Sequence, residues 1–215
     1  MERDVPYVKQ PLGSSTCGPA CATMVLKYFG HRTSYKRVAQ ELFVGGKGIV
    51  PSRLGSYFLT KDLDVTVQCW PTGTKPALET PERLGGDAAL KLLDRAAKTG
   101  GTNKARKFPK EISPLIRRGG TLILKPIDQE DLCTALYAES LIVSLVDLKI
   151  WGAPRKTGHF NLIYGINENL FSKATEPHVY VHDPDIGKEL RVPIPRMLEA
   201  CNAMVGAMLY IKKPA

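Results

Sequence analysis

Four residues carry the types and spacing from which a nucleophilic site could be built. Cys17 stands in the stretch VKQPLGSSTCGPACATMVLKYFG, residues 8–30, directly ahead of an apolar-periodic run. A thiol attacks well only as the thiolate, and a helix N-terminus favours that anion through its unpaired N–H groups and positive dipole end. A neutral imidazole can take the thiol proton and later return it to a leaving group. The imidazole in turn needs a third group to hold its tautomer and orientation. His159 follows Gly158 at the start of the apolar stretch GHFNLIYGIN, and in VYVHDPD Asp183 stands at the end of the next strand, directly before Pro184. If these stretches pair as antiparallel strands, the start of the first lies beside the end of the second, and Asp183 reaches His159. Gln10, seven residues ahead of Cys17, carries a side-chain NH2 that could aim at the oxygen turning negative in a tetrahedral intermediate. The backbone N–H of Cys17 would be its companion donor. This chemistry requires no metal and no organic cofactor.

Neighbouring residues read differently. Cys21 lies one helical turn beyond Cys17 and is expected in the core, where free cysteines commonly sit. His182 adjoins Asp183 and must point to the opposite face of a strand, which removes it as the base. His178 and His31 stand in turn-like contexts. Asp185 is an alternative orienter, since DPDIG is also a turn sequence. Trp151 precedes His159 and could wall a cleft there, with ordinary packing as the competing reading, and Trp70 flanks another of these stretches. RKTG at 155–158 adds positive charge near the same place, which would suit an acidic substrate or simply be solvated surface.

These side chains need elements to hold them. A helix is expected over 16–29, with Thr16 as N-cap, Pro19 in the first turn and Gly30 ending it. A second helix is expected over 34–42, with Val38, Ala39 and Leu42 inward, broken by GGKG at 45–48. A third is expected over 52–59, and a strand over 65–70. From 71 to 119 the chain turns rich in Pro, Gly, Lys and Arg, with one amphipathic stretch, ALKLLDRAAKTG, and four basic residues in NKARKFPK at 103–110. This segment reads as an insertion or excursion: a solvated helix plus loop, or a flexible basic arm that meets an acidic partner. Beyond it follow a strand (TLILKP), a helix with an acidic first turn (DQEDLCTALYAE), and strands at SLIVSLVDL, GHFNLIYGIN, HVYVH and AMLYIKK. Helices first and strands later, without regular crossover helices, predict an α+β fold with an antiparallel sheet. The organisation expected is one domain over 1–215 with the basic excursion at about 71–119.

Composition sets the bounds. The chain has 215 residues, 43% hydrophobic and 24% charged, which are ordinary globular proportions. No apolar run approaches the length of a membrane span. The polar start MERDVPYVKQ shows no secretory signal, so a cytoplasmic setting, or export without a visible signal, is expected. Five widely spaced cysteines argue against a disulfide framework and suit a reducing compartment. Without a Cys-x-x-Cys pair, and with four histidines, a zinc site is not expected. The net charge of +9 would attract acidic partners, but no nucleic-acid motif accompanies it, so nucleic acid is an unfavoured partner.

Taken together, Gln10, CGPACATMVLKYFG, GHFNLIYGIN and VYVHDPDIG resemble the papain-like cysteine peptidases that cleave double-glycine leaders from bacteriocin precursors, and their stand-alone peptidase C39-like relatives. The resemblance covers residues 5–70 and 120–187, and 71–119 has no recognised counterpart. It implies a papain-like fold, with a helical half, an antiparallel β-sheet half and the active site in the cleft between. It implies a bacterial or phage setting. It also implies Cys17 as nucleophile, His159 as base and acid, Asp183 as orienter and Gln10 as oxyanion donor. The expected activity is attack on a peptide bond of a peptide or protein through an acyl-enzyme. The same triad could instead serve an acyltransferase, a transglutaminase-like enzyme or a deamidase. A non-catalytic binding module using the basic surface is the reading of another class.

Overall fold

In the computed structural model of the protein, residues 1–42, 48–70, 80–99, 103–154, 157–167, 176–187, 189–204 and 207–214 are described. Helix α1 spans Cys17–Tyr28, and its residues from Gly18 to Leu26 are all buried. Such a helix, apolar on every side, belongs inside a protein. It stops where expected, at Gly30, whose φ of 90° closes the helix end. α2 (Tyr35–Leu42) and α3 (Pro51–Leu59) lie beside it. In α2 Val38 and Leu42 are buried, whereas Ala39 is only half-buried.

Among the described residues, one eight-stranded sheet organises the rest. Its strands are β1 (Asp64–Gln68), β2 (Thr80–Leu84), β3 (Thr121–Leu124), β4 (Leu141–Asp147), β5 (Gly158–Asn167), β6 (His178–His182), β7 (Glu189–Pro193) and β8 (Met208–Lys212). They lie in the order β2-β3-β1-β8-β4-β5-β6-β7. The sheet is antiparallel as expected except where β1 and β3 run parallel. That exception follows from the connection between them, which carries β2 and the helices α4 (Gly86–Thr99) and α5 (Asn103–Arg117). A parallel pair needs such a long crossover.

Period-two alternation splits the core across the two faces of the sheet. Leu141, Val143, Phe160, Leu162, Leu209 and Ile211 join one cluster with residues of α1 to α5. Ile142, Val146, Ile163, Val179, Val181 and Met208 join the other, beneath α6 (Gln129–Tyr137) and α7 (Ile194–Asn202). α6 starts at a reciprocal cap: Asp131 N–H donates to Asp128 Oδ1 at 2.9 Å, and Asp128 N–H donates to Asp131 Oδ2 at 3.2 Å.

The stretch 71–119 holds more regular structure than a helix plus loop. α5 forms despite Pro109 and Pro114 within it, residues that ordinarily break helices. Phe108, Ile112, Leu115 and Ile116 recur at helical spacing and are buried, together with Ala89, Leu93 and Ala96 of α4, in the same cluster as α1. That burial offsets the hydrogen bonds the prolines cannot make. The expected GGKG break falls mostly outside the described residues, as do Arg155 and Lys156 of RKTG.

Candidate active site

The pairing of β5 with β6 is antiparallel, Leu162 facing His182 and Asn167 facing His178. The start of β5 therefore lies beside the end of β6, as the sequence reading required. His159 Nε2 lies 3.1 Å from both carboxylate oxygens of Asp183. Cys17 stands near enough to the ring to help raise its pKa. Since Nε2 faces Asp183, the nitrogen left for Cys17 is Nδ1. Cys17 is the first residue of α1 and is half-buried, while His159 and Asp183 are buried.

Asp183 is held by the turn that follows it. Its Oδ1 accepts from the backbone N–H groups of Asp185 at 2.8 Å and Ile186 at 3.1 Å. Gly187 N–H donates to the Asp183 carbonyl at 3.1 Å, with φ at 89°, a conformation that suits glycine. The Tyr7 hydroxyl donates to the same carbonyl at 3.1 Å. DPDIG is thus both a turn and the clamp on the carboxylate.

The electrostatics agree with the geometry. Burial works against a charged His159, but Asp183 and Cys17 outweigh it and raise the imidazole pKa from 6.5 to about 10. Burial likewise works against the Asp183 carboxylate, yet His159 and the two backbone donors hold its pKa below the ordinary value. Cys21, by contrast, is fully buried, and that burial pushes its thiol well up.

Thr16 occupies the N-cap position but does not cap: no side-chain bond reaches the helix. Its hydroxyl meets Ser14 Oγ and accepts from Tyr35 at 2.7 Å. Gln10 is buried nearby, and its backbone N–H donates to the Pro184 carbonyl at 2.9 Å. Its side-chain NH2 donates to the Ser14 carbonyl at 3.2 Å and to Asp185 Oδ1 at 3.3 Å. Both amide hydrogens are therefore occupied, and Asp185, the alternative orienter, bonds Gln10 rather than His159.

His182 is turned away from the site, as strand alternation demanded. It stacks on Tyr164, and its Nε2 donates to the Val5 carbonyl at 2.9 Å. His178 is the first residue of β6 rather than part of a turn, and its ring Nδ1 lies 3.1 Å from the Glu176 carbonyl. Trp151 lines a cavity together with His159 and Asp183. Tyr7 and Ile186 also belong to the surroundings, and neither was singled out by sequence. No motif marks them, because each reaches the site only through the fold. Among the described residues, no group of three His, Cys, Asp or Glu side chains could hold a metal ion.

The fold is that of papain-like peptidase domains, the fold of the solved structures it resembles. Residues 2–68 match the model of the Peptidase_C39 like family. Among solved structures, the chain is similar to a double glycine motif protease from an AMS/PCAT transporter in complex with the leader peptide. The TM-score is 0.52 at 13% identity, over 99% of this chain and 94% of that one. It is also similar to the peptidase domain of Streptococcus ComA, a bi-functional ABC transporter of a quorum-sensing pathway. There the TM-score is 0.48 at 13% identity, over 96% of this chain and 97% of that one. A comparison with curated proteins finds no match. The resemblance read from the sequence and the fold it implied both hold.

Proposed function

We propose that the chain is a cysteine peptidase-like hydrolase that cleaves a peptide bond through Cys17, His159 and Asp183. The observation that carries this reading is the imidazole that faces the Asp183 carboxylate and whose pKa is raised by that carboxylate and by the thiol at the start of α1. An imidazole that stays protonated beside a thiol favours the thiolate. In this reading the thiol proton rests on His159 Nδ1, and the sulfur attacks the carbonyl carbon to form a tetrahedral intermediate. The Cys17 backbone N–H, at a helix start with no side-chain cap, is the donor for the oxyanion. Gln10 joins it by exchanging its bond to Ser14 or Asp185 for one to that oxygen. His159 then protonates the departing amine, and Asp183 holds the ring throughout. Water attacks the acyl-enzyme, gives its proton to His159 and releases Cys17. With an amine in place of water, the same intermediate gives acyl transfer. A peptide is the favoured substrate class, since the similar transporter protease is held with its leader peptide.

Alkylation by iodoacetamide at neutral pH tests this reading. Cys17 is expected to react selectively, and His159→Ala to abolish that selectivity and to cut peptide turnover by about 10²–10⁴-fold. The buried thiols of Cys21, Cys69 and Cys201 are expected to react slowly. Equal slow labelling of all thiols, with no acyl adduct on Cys17 by mass spectrometry, would instead favour a binding module.

A further inference from the structure

A cavity of about 180 Å³ adjoins His159 and Asp183. Its other walls are Leu148, Trp151, Ala153 and Ile186, with Asp185 beside them. No residue of α1 lines it. Leu148 and Trp151 pack on the core beneath α6 and α7, so two of the apolar walls are anchored. Ile186 is 61% exposed, a large apolar side chain for which the turn itself has no need. A cavity of roughly 150 Å³ accommodates a benzene ring, so this one has room for a single large side chain.

We infer that this cavity receives the side chain of the first residue on the leaving-group side of the scissile bond, selecting a large apolar side chain and rejecting an acidic one. The inference rests on the proposed reading of Cys17 and His159. The group that protonates the departing amine must stand next to it, so the residue bearing that amine lies against the imidazole rather than against α1. The cavity borders that same ring. Its apolar walls favour Leu, Ile, Met or Phe, and the carboxylates of Asp183 and Asp185 disfavour Asp or Glu. This runs against the acidic substrate suggested by the charge of RKTG.

Amino acid amides mimic the departing residue and need no knowledge of the natural substrate. Leucinamide and phenylalaninamide are expected to protect Cys17 from iodoacetamide at concentrations where glycinamide and the α-amide of aspartate do not. As acceptors of an acyl group from Cys17 they should be preferred by about 10–200-fold over glycinamide, the range hydrophobic pockets deliver for small apolar differences. Two variants should lose that preference: Ile186→Asp, at an exposed position that folding tolerates, and Ala153→Leu, which fills the cavity from another wall. Fast, His159-dependent alkylation of Cys17 with equal protection by all four amides would overturn the inference and leave the peptidase reading intact. Alkylation of Cys17 no faster than that of the other thiols, without peptide cleavage, would overturn the peptidase reading and this inference together.

Discussion

At the scale of single residues, the decisive partnership is that of Asp183 with His159. A buried carboxylate without partners would be costly, but this one accepts two backbone N–H bonds and faces the ring. The histidine pKa, raised from 6.5 to about 10, has a consequence for stability. A histidine whose folded pKa exceeds its unfolded value contributes stability that is complete below the unfolded pKa. That contribution is lost as pH rises from about 6.5 through about 10. Melting temperature is therefore expected to fall across that window, and Asp183→Asn, which removes the leading favourable partner of the ring, should flatten the fall. A melting curve series that is equally steep in wild type and variant would contradict the assignment of the shift to this pair. The approach of Asp183 to His159 was legible in the sequence from the pairing expected of their strands. The engagement of Gln10 with Ser14 and Asp185 was not, because it depends on where the Asp183 turn passes.

At the scale of elements, the site depends on how closely strands and helices approach one another. Gly18, next to Cys17, admits Ile49: a Cβ there would lie 2.7 Å from Ile49 Cδ1. Gly165 sits at the register shift of β5 against β6, where the N-terminal segment crosses the strand. A Cβ at Gly165 would lie 2.7 Å from the Met1 carbonyl oxygen and 3.0 Å from Glu2 Cα. Those are backbone atoms and cannot swing aside, unlike the tip of Ile49. Gly165→Ala is thus expected to cost about 1–3 kcal/mol by overpacking, read as a lower urea midpoint with unchanged slope. Gly18→Ala should cost less, since a side-chain tip can move. The sequence showed β5 to its last residue through alternating apolar character, and α1 through its apolar run. It did not show α5, because two prolines and a basic start outweigh the spacing of Phe108, Ile112, Leu115 and Ile116 in a local reading. β7 and α7 were also missed: they form where Val192, Ile194 and Met197 meet the second core, and no local signal announced that contact.

At the scale of the whole molecule, one sheet carries two cores, and the stretch from β2 to α5 shares the larger one with the helix that begins at Cys17. Leu115 is confined on two sides, for a Cβ on Gly55 or Gly120 would come within 3.0 or 2.8 Å of its side chain. Leu115→Ala is expected to destabilise the protein by about 2–5 kcal/mol, measured by reversible denaturation. Removing residues 86–117 should prevent a cooperative melt altogether, whereas loss of a solvated excursion would leave the melt unchanged. The alternation of apolar residues by itself determined the strands of the sheet's centre, and the order of a cysteine, a histidine and an aspartate determined the kind of chemistry to look for. Those signals are local: they come from periodicity and from residue type. Only the tertiary structure decided that β1 and β3 run parallel, that α4 and α5 close over the core, and that Trp151, Ala153 and Ile186 meet beside the imidazole. Such contacts join residues far apart in the chain, and their free energy comes from burying surfaces that no short stretch contains.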